Sequence, residues 1–81
     1  MAANRQEFRF EIINRIGTIS SSSSGWSVEL NRVSWNGKEP KYDIRSWSPD
    51  HSRMGKGITL TERDIIALSD LLAKEVEFLK G

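Results

Sequence analysis

Apolar residues recur at every second position through most of residues 8–60 and then switch to helical spacing from residue 65 onward. Phe8, Phe10 and Ile12 share one parity, which predicts a first strand over Phe8–Ile19. Trp26, Val28 and Leu30 hold one parity and Val33 and Trp35 the other, so a second strand over 26–35 calls for a bulge or strong bend near Asn31 and Arg32. Trp35 is a core residue if that bulge exists and a surface residue if it does not. Asn36-Gly37 supplies the positive φ angles of a tight hairpin, so the flanking strands are antiparallel neighbours. Lys41 to Trp47 alternates strictly: Tyr42 and Ile44 turn to the core, while Lys41, Asp43, Arg45 and Trp47 take the other face. A loop from Ser48-Pro49-Asp50 to Gly55 leads to a short fourth strand, Lys56–Leu60.

Thr61 caps the helix that follows, with Asp64 where a capping box usually has Glu. At 100° per residue, Ile65, Leu68, Leu72, Val76 and Leu79 line one narrow face, flanked by Ile66 and Ala73 on one side and Leu71 and Phe78 on the other. That apolar surface covers more than half the circumference, wider than one sheet needs. A second copy of the helix across a twofold axis is the economical cover. The expected class is α+β: a four-stranded antiparallel sheet followed by one C-terminal helix, a homodimer through the helices. The whole chain, 1–81, reads as one domain with an ordered core over 8–79. Residues 1–6 and the serines at 20–24 read as mobile, the latter because five serines in a row offer no apolar anchor.

Eighty-one residues are close to the size at which a core barely outweighs chain entropy, which again favours a partner chain. With no cysteine and one histidine, disulfides and thiolate metal sites are excluded and no cofactor is expected. No apolar run approaches the roughly 20 residues of a membrane helix, so a soluble, cytoplasmic protein is expected. Net charge is +1, but Lys and Arg exceed Asp and Glu by nine to six over residues 1–60 and fall short by three to five over 61–81. The basic part is the sheet.

Within Trp35–Leu60, large aromatics alternate with cations on one sheet surface, the equipment for binding a single-stranded nucleic acid. Trp47 stands on the polar face beside Arg45 and Lys41, either free to stack on bases or covered by a neighbouring strand or second subunit. Catalysis has little support. Asp50-His51-Ser52 are adjacent in sequence, which does not set a triad, and the loop reads as solvated. Lys56-Gly57 lacks the rest of a phosphate-binding loop.

Asp43-Ile44-Arg45, Trp47, Lys56-Gly57-Ile58-Thr59-Leu60 and the following helix resemble the positive cofactor four family of transcriptional coactivators. Glu29-Leu30-Asn31-Arg32-Val33-Ser34, the Asn-Gly turn and Trp47-Ser48-Pro49-Asp50-His51 look closest to its small bacterial members, of the YdbC type. The resemblance implies a dimer packed through its helices that binds single-stranded DNA across curved sheets with little sequence preference. It implies base stacking by Trp35, backbone contacts by Lys38, DNA contact by Arg45 and, one residue out of register, stacking by Trp47. The eukaryotic pattern has a lysine where this chain has Asn36. Charge and proximity add Lys41, Arg53, Lys56 and Arg32 to the nucleic-acid-binding set. RNA is an alternative strand, and a protein-docking module using the same aromatics is the rival reading.

Overall fold

The computed structural model describes residues 8–81; the 1–6 segment expected to be mobile lies outside them. Strands β1 (Phe10–Ser21), β2 (Ser27–Trp35), β3 (Lys41–Trp47) and β4 (Met54–Leu60) form one antiparallel sheet in sequence order, followed by helix α1 (Glu62–Lys80). This is the expected α+β arrangement of four antiparallel strands and then one helix.

Asn36 and Gly37 have φ of 53° and 76°, the left-handed pair that a two-residue hairpin turn requires. The Lys38 amide closes the turn on the Trp35 carbonyl at 3.0 Å. Asn36 also anchors the start of β1: its amide donates to the Arg9 carbonyl at 2.8 Å, and its Oδ1 accepts from the Arg9 amide at 2.8 Å. The serine run is divided between two structures. Ser20 and Ser21 finish β1, and residues 22–25 make a turn in which Ser22 donates to the Trp26 carbonyl and Gly25, at φ 92°, to the Ser22 carbonyl.

The bulge expected in β2 is absent, because β2 and β3 pair without interruption from Ser27↔Trp47 to Val33↔Lys41. Val28 and Leu30 face one way and Val33 and Trp35 the other because β2 is apolar on both faces, not because it bends. The register shifts lie between β1 and β2 instead, where Ile13, Ile16 and Ile19 are each skipped in the pairing. Spread along a strand of twelve residues, they let β1 coil around its neighbour.

Leu30, Ile44, Ile58 and Leu60 lie on the side of α1, and Glu29, Asn31, Val33, Asp43, Arg45 and Trp47 on the opposite face. The alternation read from sequence is therefore right, but burial falls on the other side. Tyr42 and Ile44 are only half-buried, whereas Val33 and Trp47 are fully buried on the face away from the helix. α1 contributes no buried residue. Ile65 and Leu68 are half-buried, while Leu72, Val76 and Leu79 are exposed, and an open apolar groove of about 640 Å³ runs between Leu30 and the helix. A Cα radius of gyration of 15.4 Å, against about 12 Å for a compact chain of this length, records the same open construction.

The helix start follows the expected design. Asp64 donates its amide to Thr61 Oγ1 at 3.1 Å, and Asp64 Oδ2 accepts from the Thr61 amide at 3.0 Å, a closed capping box.

Substituting Asn36→Ala removes a hydrogen bond and strains a positive-φ site, so it should lower stability by about 1–2 kcal/mol. Asn36→Gly, which loses the bond without the strain, should cost less; urea unfolding midpoints rank the two.

Candidate nucleic-acid interface

Pairing of β1 with β2, and of β2 with β3, sets an aromatic row across the face that carries no helix. Phe8 lies 5.7 Å from Trp35, Phe10 bridges Trp35 at 6.1 Å and Trp47 at 5.2 Å, and His51 stacks on Trp47 at 5.7 Å and 27°. The row is open at one end and closed at the other. Phe8 is 64% exposed and Trp35 is half-buried, but Trp47 has no exposed surface. The expectation of a free Trp47 ring is thus corrected, since Phe10 and His51 cover it within one chain.

The covering loop is stapled internally. Ser48 Oγ, Ser52 Oγ and the Ser52 amide all donate to Asp50 Oδ1, at 2.9, 2.8 and 3.0 Å. Those bonds, led by the Ser52 amide, pull the Asp50 carboxyl down to about 2. His51, at φ 59°, reaches from this loop to Glu29, its Nε2 lying 2.9 Å from Oε2. The reading of this loop as simply solvated is corrected by that contact and by the Trp47 stack. Ser27 and Asn31 donate to the same carboxylate at 2.6 and 3.1 Å. Burial raises the Glu29 carboxyl, but bonds from Ser27, Asn31 and His51, with the His51 charge, together outweigh it and leave the group below its ordinary value.

At the open end Arg45 lies over Trp35, its guanidinium carbon 4.8 Å from the ring centroid. Asp43, two residues back on the same face and fully buried, binds it side-on, with Nε to Oδ1 at 2.7 Å and Nη2 to Oδ2 at 2.8 Å. Thr59 Oγ1 braces Oδ2 from β4 at 3.2 Å, and Nη1 donates to the Gly55 carbonyl at 3.3 Å. Gly57, paired with Arg45, has no room for a side chain: a Cβ there would overlap Arg45 Cβ. Phe8, Trp35, Arg45 and Thr59 enclose a shallow niche of about 230 Å³.

The sequence-derived site residues therefore separate into groups. Trp35 and Arg45 meet at the niche; the uninterrupted β2 register puts Trp35 on the Arg45 face. Lys38, on the hairpin, and Lys41, at the start of β3 on the same face as Arg45, are exposed. Arg53 is exposed at the far end, with its guanidinium 5.9 Å from the Trp26 ring. Arg32 is turned to the other face, where Nη1 donates to Asn14 Oδ1 at 2.7 Å, and Lys56 alternates with Gly57 away from Arg45. Phe8 and Thr59 line the niche and Asp43 backs it through Arg45, although the sequence reading did not name them as site residues. The same-face spacing of Asp43 and Arg45 was the available signal for one of them.

A family model described as Transcriptional Coactivator p15 (PC4) matches residues 22–71. This chain belongs to the p15 (PC4) family. An uncharacterized protein of Treponema pallidum (strain Nichols) is 58% identical over 66 residues, 82% of this chain and 78% of that protein. The family match takes in β2, β3, β4 and the first half of α1, and so includes Trp35, Asp43, Arg45 and Thr59. A p15 (PC4) domain is a nucleic-acid-binding one, and an aromatic sheet face suits that role. Among the described residues, no cluster of three His, Cys, Asp or Glu could hold a metal, and no helix is long and apolar enough to cross a membrane.

Because the folded Glu29 carboxyl titrates below its ordinary value, its stabilisation is complete above that ordinary value and is lost as pH falls through the folded one. Urea midpoints measured between about pH 5 and pH 3 should fall. The fall should be smaller in Glu29→Gln, which carries no titrating group at that position.

Proposed function

We propose that this protein is a non-enzymatic, cytoplasmic homodimer that binds single-stranded DNA with little sequence preference, in the service of transcription regulation or repair. The observation that carries the reading is the pair of accessible rings, Phe8 and Trp35, set beside a guanidinium on a sheet face that no helix covers. Bases present π faces to such rings whatever their identity, each stack contributing on the order of 1–3 kcal/mol. Lys38, Lys41 and Arg53 flank the row and meet phosphates; Arg32 and Lys56, on the other face, add long-range positive potential. Trp47 supports the platform from beneath His51 and Phe10. The uncovered groove along Leu68, Leu72 and Val76 supports helix-to-helix pairing with a second copy.

Fluorescence anisotropy of labelled oligo-dT at two salt concentrations, with duplex as competitor, tests the reading. Salt-sensitive binding that duplex does not displace is expected, and RNA of equal length measures the preference between strands. Trp35→Ala should lose about 1–3 kcal/mol of binding. Trp47→Ala should instead lower folding stability by about 3–5 kcal/mol, because it empties a buried site. Light scattering should give twice the chain mass, falling to the monomer value in Leu72→Glu.

A further inference from the structure

Arg45 carries the geometry of a held surface more than that of a free cation. Its Nε and Nη2 are taken by the two oxygens of Asp43, and its Nη1 by the Gly55 carbonyl, with Met54 Sδ at 3.9 Å. Asp43 itself has no exposed surface and is fixed by Thr59 from the next strand. The carboxylate therefore cancels the guanidinium charge locally while it locks the guanidinium plane in position over Trp35. Only Gly at 57 allows β4 to close against this arrangement.

We propose that Asp43 is a positioning residue that converts Arg45 from a phosphate-binding cation into a flat, charge-compensated wall of a nucleobase niche formed with Phe8, Trp35 and Thr59. The proposal rests on the single-strand reading above and sharpens it. In this niche Arg45 acts on a base by stacking and through its remaining Nη2 hydrogen, while the salt-dependent part of binding comes from lysines and Arg53. Asp43, although acidic and buried in a face that meets a polyanion, is then favourable to binding because of the geometry it imposes.

Salt dependence separates the two roles of Arg45. Each phosphate neutralised on a single strand contributes about 0.7 to the slope of log affinity against log salt. The test measures that slope with oligo-dT for the parent protein, for Asp43→Asn and for the charge-conserving double variant Asp43→Asn with Arg45→Gln. Asp43→Asn frees a cation, so its slope should steepen by about 0.7. The double variant should keep the parent slope while affinity drops on the order of tenfold, one stacking partner having been lost. A double variant whose slope is shallower by about 0.7 would make Arg45 a phosphate ligand and overturn the proposal. Circular dichroism monitors folding, and if Asp43→Asn alone does not fold, the double variant decides. Absence of oligo-dT binding by the parent protein overturns the single-strand reading and this proposal together; parent binding with the shallower double-variant slope overturns only this one.

Discussion

The layer between the sheet and α1 is not filled within one chain, and the rest of the structure answers to that fact. A single helix that meets the sheet only at β3 and β4 leaves Leu72, Val76, Phe78 and Leu79 in water, Phe78 with 77% of its surface exposed. Apolar area stabilises only when removed from water, at about 25 cal/mol per Å². The lone chain therefore forgoes much of what its sequence could bury. Among the described residues, the fully buried ones lie on the opposite face or in the loop after β3, where the hydrophobic ones are Val33 and Trp47 and the others are polar. The sheet thus places its polar network and aromatic row on one side and leaves the other open beside α1.

Polar groups buried on a sheet face are costly unless each is matched. Glu29 is matched by Ser27, Asn31 and His51, and Asp43 by Arg45 and Thr59, with the two sets drawn from β2, β3, β4 and the loop after β3. Cross-strand register brings them together: Asn31 opposes Asp43, Glu29 opposes Arg45, and Asp43 opposes Thr59. A slip of one residue would reverse every side chain to the helix side. The network therefore specifies register as well as surface.

Strand order, hairpin, capping box and the wide apolar face of α1 were legible because each is a local pattern: an Asn-Gly pair, a Thr with Asp three residues on, a 3.6-residue period. The parity change in β2 was legible too, but its cause was not, since a bulge and a strand apolar on both faces leave the same trace in sequence. In the site, Trp35 and Arg45 could be named in advance. Burial of Trp47 could not, because its covers, Phe10 and His51, come from 37 positions upstream and from a loop whose left-handed residue carries no signal of its own. Long-range packing decided that residue, and periodicity only set its face.

On the single-strand reading proposed above, stacking without sequence preference puts a particular demand on such a face. A base gains little from a ring or guanidinium that must first be ordered, because immobilising a rotamer-rich side chain costs about 0.5–1.5 kcal/mol, a sizeable share of one stack. Here that cost is met during folding. Trp35 is held between Phe8, Phe10 and Arg45, Arg45 is locked by Asp43, and Trp47, closed beneath its own aromatic cover, backs Phe10 from the far side. A buried tryptophan and a buried carboxylate thus serve the exposed surface through the rigidity they give to their neighbours, and neither need touch a strand to do so.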